Sequence, residues 1–129
     1  MGVTAIKYFK NFGNESVTVY NRENHRTYLE IPPGQSRSMD EYVPFCTNQG
    51  DFDNQHFIEV RQNRKGAEDL VYSIWQRDVS GDDRVRFAGN AEVPVWTDPG
   101  ERVPGVSMVD GNRVLFWQSD DTLLVERSG

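Results

Sequence analysis

Cysteine and histidine are scarce in this sequence, which contains one cysteine and two histidines among 129 residues. A single cysteine cannot form an intrachain disulfide. A transition-metal site usually takes three or four ligands, and no CxxC, HxH or HExxH spacing is present, so we expect no metal. The GxxxxGK[ST] and GxSxG motifs are also missing, which removes the usual argument for a nucleotide-dependent enzyme or a serine hydrolase. We therefore expect no cofactor.

Long apolar segments and an excess of positive charge are lacking as well. No segment approaches the roughly 18 apolar residues of a transmembrane helix, so we expect no membrane span. Fourteen basic against twenty acidic side chains give a net charge of −6, which provides no general attraction for nucleic acid. The opening residues, MGVTAIKYFK, do not resemble a secretory signal. A cytoplasmic location is the expectation, unless a leader peptide has been removed.

The composition nevertheless supports a substantial core. A chain of this length fits one domain, 1–129, that buries roughly two-thirds of the surface its unfolded form exposes. Aromatic residues make up 12% of the sequence, and each large ring buries a wide apolar area. Trp75 and Trp117 fall in the middle of predicted strands, and we predict that both belong to the core.

Apolar and polar residues alternate with a period of two in several segments, which is typical of half-buried strands. Val17 and Val19 share one face of SVTVYN, and Ile58 and Val60 share one face of HFIEVRQ. The same alternation predicts buried faces formed by Val114 with Phe116, by Leu123 with Val125, by Val85 with Phe87, and by Thr27, Leu29 and Ile31. Together with LVYSIWQ and VSMV, these segments make about eight strands.

Turn residues separate the predicted strands. NRENHR (21–26), SDD (119–121) and the Asp110-Gly111 pair are each expected to close a hairpin. The sequence therefore predicts a single-domain antiparallel β-sandwich of about eight strands, with a closed β-barrel as the alternative. Evidence for helix is thin: only NRKGAED (63–69) could form a turn or two, and Gly66 disfavours even that.

The segment RDVSGDDRVRF (77–87) has two interpretations. Asp78, Asp82 and Asp83 could bind calcium through their carboxylates. The spacing of an EF-hand is not met, because Asp83 stands where glycine is required and Gly89 where glutamate is required. The flanking strands favour the polar turn of a hairpin instead.

Catalytic residues are not identified by any motif, so whether the protein is an enzyme stays open, with a non-enzyme favoured. Cys46 could form a nucleophile and base with His56 or His25. Its surroundings, YVPFC, are more typical of a buried apolar cysteine. Glu59, His56 or an aspartate could act as the acid or base of a small barrel enzyme.

Two predicted loops, 46–56 and 88–105, carry the residues that a sugar site needs. A flat ring covers the C–H face of a sugar while carboxylates and amides bind its hydroxyls. The candidate ligand-binding residues are Tyr42, Asp51, Asp53, Asn90, Trp96 and Asp98.

The leading hypothesis is therefore a non-enzymatic, lectin-like module that binds carbohydrate or another small molecule. One alternative is a small β-barrel enzyme or small-molecule carrier with an aromatic-lined cavity. Another is a protein–protein interaction domain or inhibitor. Exposed strand edges also make a homo-oligomer a reasonable expectation.

Overall fold

The computed structural model of the protein describes residues 5–23, 28–77, 85–89, 101–102 and 112–128. Within them the chain forms eleven β-strands and one short helix. The elements are β1 (Ala5–Asn11), β2 (Val17–Asn21), β3 (Tyr28–Ile31), β4 (Ser36–Tyr42), β5 (Phe45–Cys46), α1 (Gln49–Asp53), β6 (Ile58–Gln62), β7 (Leu70–Arg77), β8 (Val85–Gly89), β9 (Glu101–Arg102), β10 (Asn112–Trp117) and β11 (Leu123–Ser128).

The strands form two sheets that pack face to face. Sheet A has the strand order β11-β10-β1-β4, and sheet B has the order β3-β2-β6-β7-β8-β9, with β5 paired to the end of β7. In the described part of the chain the sheets do not close on each other into a barrel. The predicted all-β sandwich is confirmed, and the barrel alternative is wrong.

Two strand pairs are parallel, so the sheets are mixed rather than wholly antiparallel. β1 runs parallel to β10, and β5 runs parallel to β7. The strands that we did not predict are β1, β4, β5 and β9. In β1 the register shifts between Ile6 and Tyr8, which interrupts the period of two. In β4, SRSMDEY contains a single large apolar side chain, Met39, apart from the terminal tyrosine.

Predicted hairpins are confirmed where the structure describes their strands. β2 pairs antiparallel with β3, β10 with β11, and β7 with β8. The SDD turn joins β10 to β11, as predicted. Residues 24–27, 78–84 and 103–111 lie outside the described residues, so the calcium interpretation and the Asp110-Gly111 turn stay predictions.

The predicted helix was placed in the wrong segment. Residues 63–69 form a turn rather than a helix, and Gly66 there has a φ of 72° that interrupts helical geometry. The helix α1 lies instead at 49–53, inside the predicted loop 46–56. Asn48 begins it by accepting a hydrogen bond from the Asp51 amide, an N-cap signal that the sequence already contains.

The main core lies between the two sheets, and a smaller one lies behind sheet B. The main core is made of Ile6, Phe9, Val17, Val19, Ile31, Val43, Ile58, Val60, Ile74, Leu115, Trp117, Leu123 and Val125. Trp75 belongs to the smaller cluster with Cys46, Phe52 and Phe57, and the Phe52 ring meets it edge-on at 5.0 Å between centroids. Both predicted core tryptophans are fully buried.

One carboxylate links the two sheets. Asp121, in the turn between β10 and β11, accepts hydrogen bonds at Oδ1 from Trp117 Nε1 at 3.2 Å and from Gln62 Nε2 at 3.1 Å. Its backbone carbonyl accepts a third bond from the Tyr72 hydroxyl at 3.1 Å. Since Trp117 belongs to sheet A, and Gln62 and Tyr72 to sheet B, the turn is hydrogen-bonded to both sheets. The φ of Asp121 is 65°, a conformation that aspartate and asparagine tolerate better than most residues.

We expect D121A to lower the free energy of unfolding by about 2–4 kcal/mol, because two buried donors lose their acceptor and alanine is disfavoured at positive φ. D121N keeps an oxygen acceptor and the backbone preference, so it should lose less. Urea denaturation followed by tryptophan fluorescence measures both losses. D120A is the matched control in the same turn, and a loss as large as that of D121A would contradict the role of Asp121.

Candidate functional site

Three of the six predicted ligand-binding residues lie within the described part of the chain. Asn90, Trp96 and Asp98 lie outside it, and of the loop 88–105 only residues 88–89 and 101–102 are described. Tyr42 ends β4 in sheet A with 64% of its surface exposed, whereas Asp51 and Asp53 belong to α1. The three described candidates therefore stand on two separate elements, β4 and α1.

The Asp51 side chain forms hydrogen bonds that stabilise the N-terminus of α1. Its Oδ2 accepts hydrogen bonds from the Thr47 amide at 2.7 Å and from the Thr47 hydroxyl at 2.9 Å. In return, the Asp51 amide donates to Asn48 Oδ1 at 3.1 Å, a reciprocal arrangement like a capping box. The Thr47 amide is the main cause that lowers the pKa of Asp51, and His56, with Nδ1 at 3.7 Å, lowers it further. A ligand at Asp51 would compete with all of these contacts.

The lowered pKa of Asp51 predicts a pH dependence of stability. The unfolded carboxyl has an ordinary pKa of 3.8 and the folded one a lower pKa, so its stabilisation is fully present above that ordinary value. It is lost as the pH falls below about 4 and through the folded-state pKa.

We expect the stability of D51N to fall less steeply with acidification, as measured by urea denaturation across this pH range. D53N is the control, because it removes a carboxylate from α1 and leaves the Thr47 hydrogen bonds intact; a D51N slope as steep as that of the unaltered protein would contradict the cap.

Cys46 has the environment of a structural thiol. It is fully buried, and its Sγ donates a hydrogen bond to the His56 carbonyl at 2.8 Å. Burial raises the pKa of the thiol far above its ordinary value, and the charges of Asp51 and Glu23 raise it further. A catalytic cysteine needs the opposite, a lowered pKa and access to substrate. The geometry therefore disfavours a thiol nucleophile.

We expect Cys46 in the native protein to be inert toward Ellman's reagent at about pH 8, because the thiolate that reacts is suppressed and shielded. The same thiol should react fully once the chain is unfolded in urea, which serves as the internal control. Absorbance of the released thionitrobenzoate measures both states. Rapid stoichiometric labelling of native protein would contradict a structural role.

A charged cluster lies on the face of sheet B that points away from the main core. The buried carboxylate of Glu59 accepts from Arg22 Nη2 at 2.8 Å and pairs with Arg61 Nη2 at 3.3 Å. Arg22 also lies over the Tyr20 ring at 5.1 Å, and Arg61 pairs with Asp69 at 3.0 Å. A concavity of about 300 Å³ beside the cluster is lined by Arg22, Arg61 and Glu59, and both arginines are already paired with carboxylates. Acid–base work by Glu59 would require breaking both of its ion pairs.

A groove of about 570 Å³ lies on the outer face of sheet A, and we call it the aromatic groove. It is lined by Phe12, Phe116, Gln118, Ser119, Leu124 and Glu126. The rings of Phe12 and Phe116 are stacked, with 6.2 Å between their centroids and an angle of 21° between their planes. The Tyr8 ring meets Phe116 edge-on at 6.3 Å. Phe12 is 53% exposed, so the stacked pair is open to a ligand.

Polar groups form one rim of the aromatic groove. The Thr122 hydroxyl lies 2.7 Å from Gln118 Oε1 and 2.6 Å from Asp120 Oδ1, and its single proton is donated to the Asp120 carboxylate, which can only accept. The Gln118 side chain therefore places an amide, which carries both a hydrogen-bond donor and an acceptor, at this rim. The Ser119 hydroxyl and the Glu126 carboxylate supply further hydrogen-bonding groups beside the rings.

Sequence reasoning missed this groove because it assigned the faces of β10 wrongly. We predicted Val114 and Phe116 as the buried pair, whereas Leu115 and Trp117 are fully buried and Phe116 lies on the outer face. All four side chains from 114 to 117 are apolar, so the period of two does not distinguish the faces. The buried pair in β11, Leu123 and Val125, was predicted correctly.

Comparison of the chain with protein-family models, with curated proteins and with solved structures finds no match. No helix within the described ranges is long and apolar enough to cross a membrane. The same residues bring together no group of three histidine, cysteine, aspartate or glutamate side chains suited to a metal ion. The aromatic groove is therefore the feature from which we infer a function.

Proposed function

We propose that the protein is a non-enzymatic carbohydrate-binding module whose sugar lies in the aromatic groove. The observation that carries the proposal is the exposed, stacked pair Phe12 and Phe116 beside the polar groups of Gln118, Ser119 and Glu126. Rings of this kind cover the C–H face of a sugar, and amide, hydroxyl and carboxylate groups bind its hydroxyls.

The dimensions and rigidity of the groove support this proposal. A volume of about 570 Å³ falls within the range of ligand pockets, roughly 300–1,000 Å³. Phe116 and Leu124 are opposite neighbours on the paired strands β10 and β11, so the sheet fixes their spacing. Phe12 is held beside them because its amide donates to the Trp117 carbonyl at 2.7 Å. Little ordering of side chains is then required on binding.

The aromatic groove replaces the loop 46–56 as the principal surface in the proposal. Asp51 caps α1, and Asp53 accepts a hydrogen bond from Gln49 at 3.0 Å. The contributions predicted for Asn90, Trp96 and Asp98 lie outside the described residues and stay predictions. A cytoplasmic location and a carbohydrate partner, rather than nucleic acid, remain part of the proposal.

A second candidate function is protein–protein interaction, including self-association. β11 ends sheet A and pairs with β10 on one side only, so its other edge offers unpaired backbone groups within the described part. Leu124 brings the aromatic groove to this edge. Sedimentation at several protein concentrations distinguishes this candidate, because only self-association would depend on concentration in the absence of sugar.

We expect F12A to weaken sugar binding by about tenfold or more, equivalent to about 1.4 kcal/mol, because the stacked face of the groove is lost. Since Phe12 is 53% exposed, the fold should survive the change. Glycan arrays identify the binding sugar, and isothermal titration calorimetry measures the loss.

Tyr42, although a ligand-binding candidate from the sequence, does not line the groove, because it lies beside Ala5 at the opposite end of β1 from Phe12. Y42A is therefore the matched control, since Tyr42 is another exposed aromatic residue of sheet A. It should leave affinity within about twofold, a difference of roughly 0.4 kcal/mol. Absence of binding across the array, or equal losses in F12A and Y42A, would contradict the proposed site.

A further inference from the structure

The aromatic groove is lined by one charged residue, whose carboxylate makes no ion pair with the described residues. Glu126 is the only charged residue among the six that line it. Its opposite neighbour in the register of β10 and β11 is Val114, which supplies no cation. Among the described residues no ion pair or hydrogen bond to the Glu126 side chain is found, and the side chain is exposed at the groove. An acidic ligand would be repelled there and a cationic group would be attracted.

The rings of the groove also favour positive charge. The face of a phenylalanine ring is electrically negative, so an ammonium group above it is stabilised. Phe12 already makes such a contact, because Lys10 Nζ lies 5.5 Å from its ring centroid. The Lys10 ammonium is held by a hydrogen bond to the Gly34 carbonyl at 2.8 Å. Phe12 therefore already has one cation against it, and because Lys10 is bonded to Gly34, next to β4, a ligand amine has to bind toward the opposite edge of sheet A, at Glu126 on β11.

The charge of the whole chain acts in the same direction. A net charge of −6 produces a negative potential around the molecule, which increases the local concentration of cations and lowers that of anions. The local carboxylate, the aromatic faces and the overall field therefore favour the same class of ligand.

Building on the proposed function, we infer that the aromatic groove selects saccharides that carry a protonated amine, such as glucosamine oligomers, over neutral and acidic saccharides. The sugar ring packs on Phe12 and Phe116, and the amine pairs with the Glu126 carboxylate. An exposed ion pair contributes modestly, so the preference over the neutral sugar should be about two- to fivefold. It should shrink as salt is added.

Three trisaccharides test the inference: the trimers of glucosamine, N-acetylglucosamine and galacturonic acid. Calorimetric titrations at about pH 6, below the ordinary pKa of an α-amino group, give their affinities at low and at high salt. We expect the glucosamine trimer to bind most tightly and the galacturonic acid trimer most weakly. In E126Q the ratio between the glucosamine and N-acetylglucosamine trimers should fall to about one. E30Q is the matched control, because it removes an exposed strand carboxylate from sheet B, and it should keep the ratio.

The outcomes separate the inference from the proposed function. Binding of all three trimers with equal affinity, with loss of binding in F12A, would overturn the amine selectivity and leave the sugar site standing. A preference for the glucosamine trimer that persists in E126Q would also overturn the role of Glu126. Failure of all three trimers, while the glycan array shows another sugar whose binding is lost in F12A, would overturn the inference alone; only absence of binding across the array would overturn both proposals.

Discussion

The burial of Trp117 is the constraint on which much of the sandwich depends. Its indole is fully buried between the sheets, and Asp121 accepts its N–H group. The chain that leaves β1 passes close to the same ring at Gly13, where an added Cβ would lie 2.9 Å from Trp117 Cδ1. Only a residue without a side chain fits this approach unless the indole moves. The tryptophan therefore determines both a turn of sheet A and the path from β1 to β2.

The aromatic groove follows from the same residue. The inward position of Trp117 requires its neighbour Phe116 to point outward, because side chains alternate along a strand. The Trp117 carbonyl accepts the Phe12 amide, which brings a second ring beside Phe116. A buried interaction on one side of sheet A thus positions the exposed pair on the other side. The core residue Trp117 and the groove residue Phe116 thus lie on opposite faces of the same strand, β10.

The sequence predicts the fold class well because several strands have one apolar and one polar face. Val17 with Val19 and Ile58 with Val60 are buried, as their alternation indicated. The buried Cys46 also agrees with its apolar surroundings. The helix α1 could have been found from Asn48 and Asp51, which have the spacing of an N-cap and its third helical position.

The candidate site could not be predicted in the same way. The contact of Phe12 with Phe116 depends on the parallel pairing of β1 with β10, which joins segments about a hundred residues apart. Local alternation carries no information on such a pairing, and β10 is apolar on both faces. Reasoning from composition led to loops rich in aspartate and asparagine, where Asp51 serves the helix instead.

The central position of β1 in sheet A has a consequence for how the chain folds. β1 lies between β10 and β4, so its apolar residues Ile6 and Phe9 have no complete sheet until β10 has been synthesised. Sheet B pairs β2 with β3 and β6 with β7 between neighbouring segments, and it can form earlier. Pairing between distant segments is slow because a long loop must close first. Until β10 is available, β1 can pair only with β4, and we expect folding to be limited by the step that joins β1 to β10.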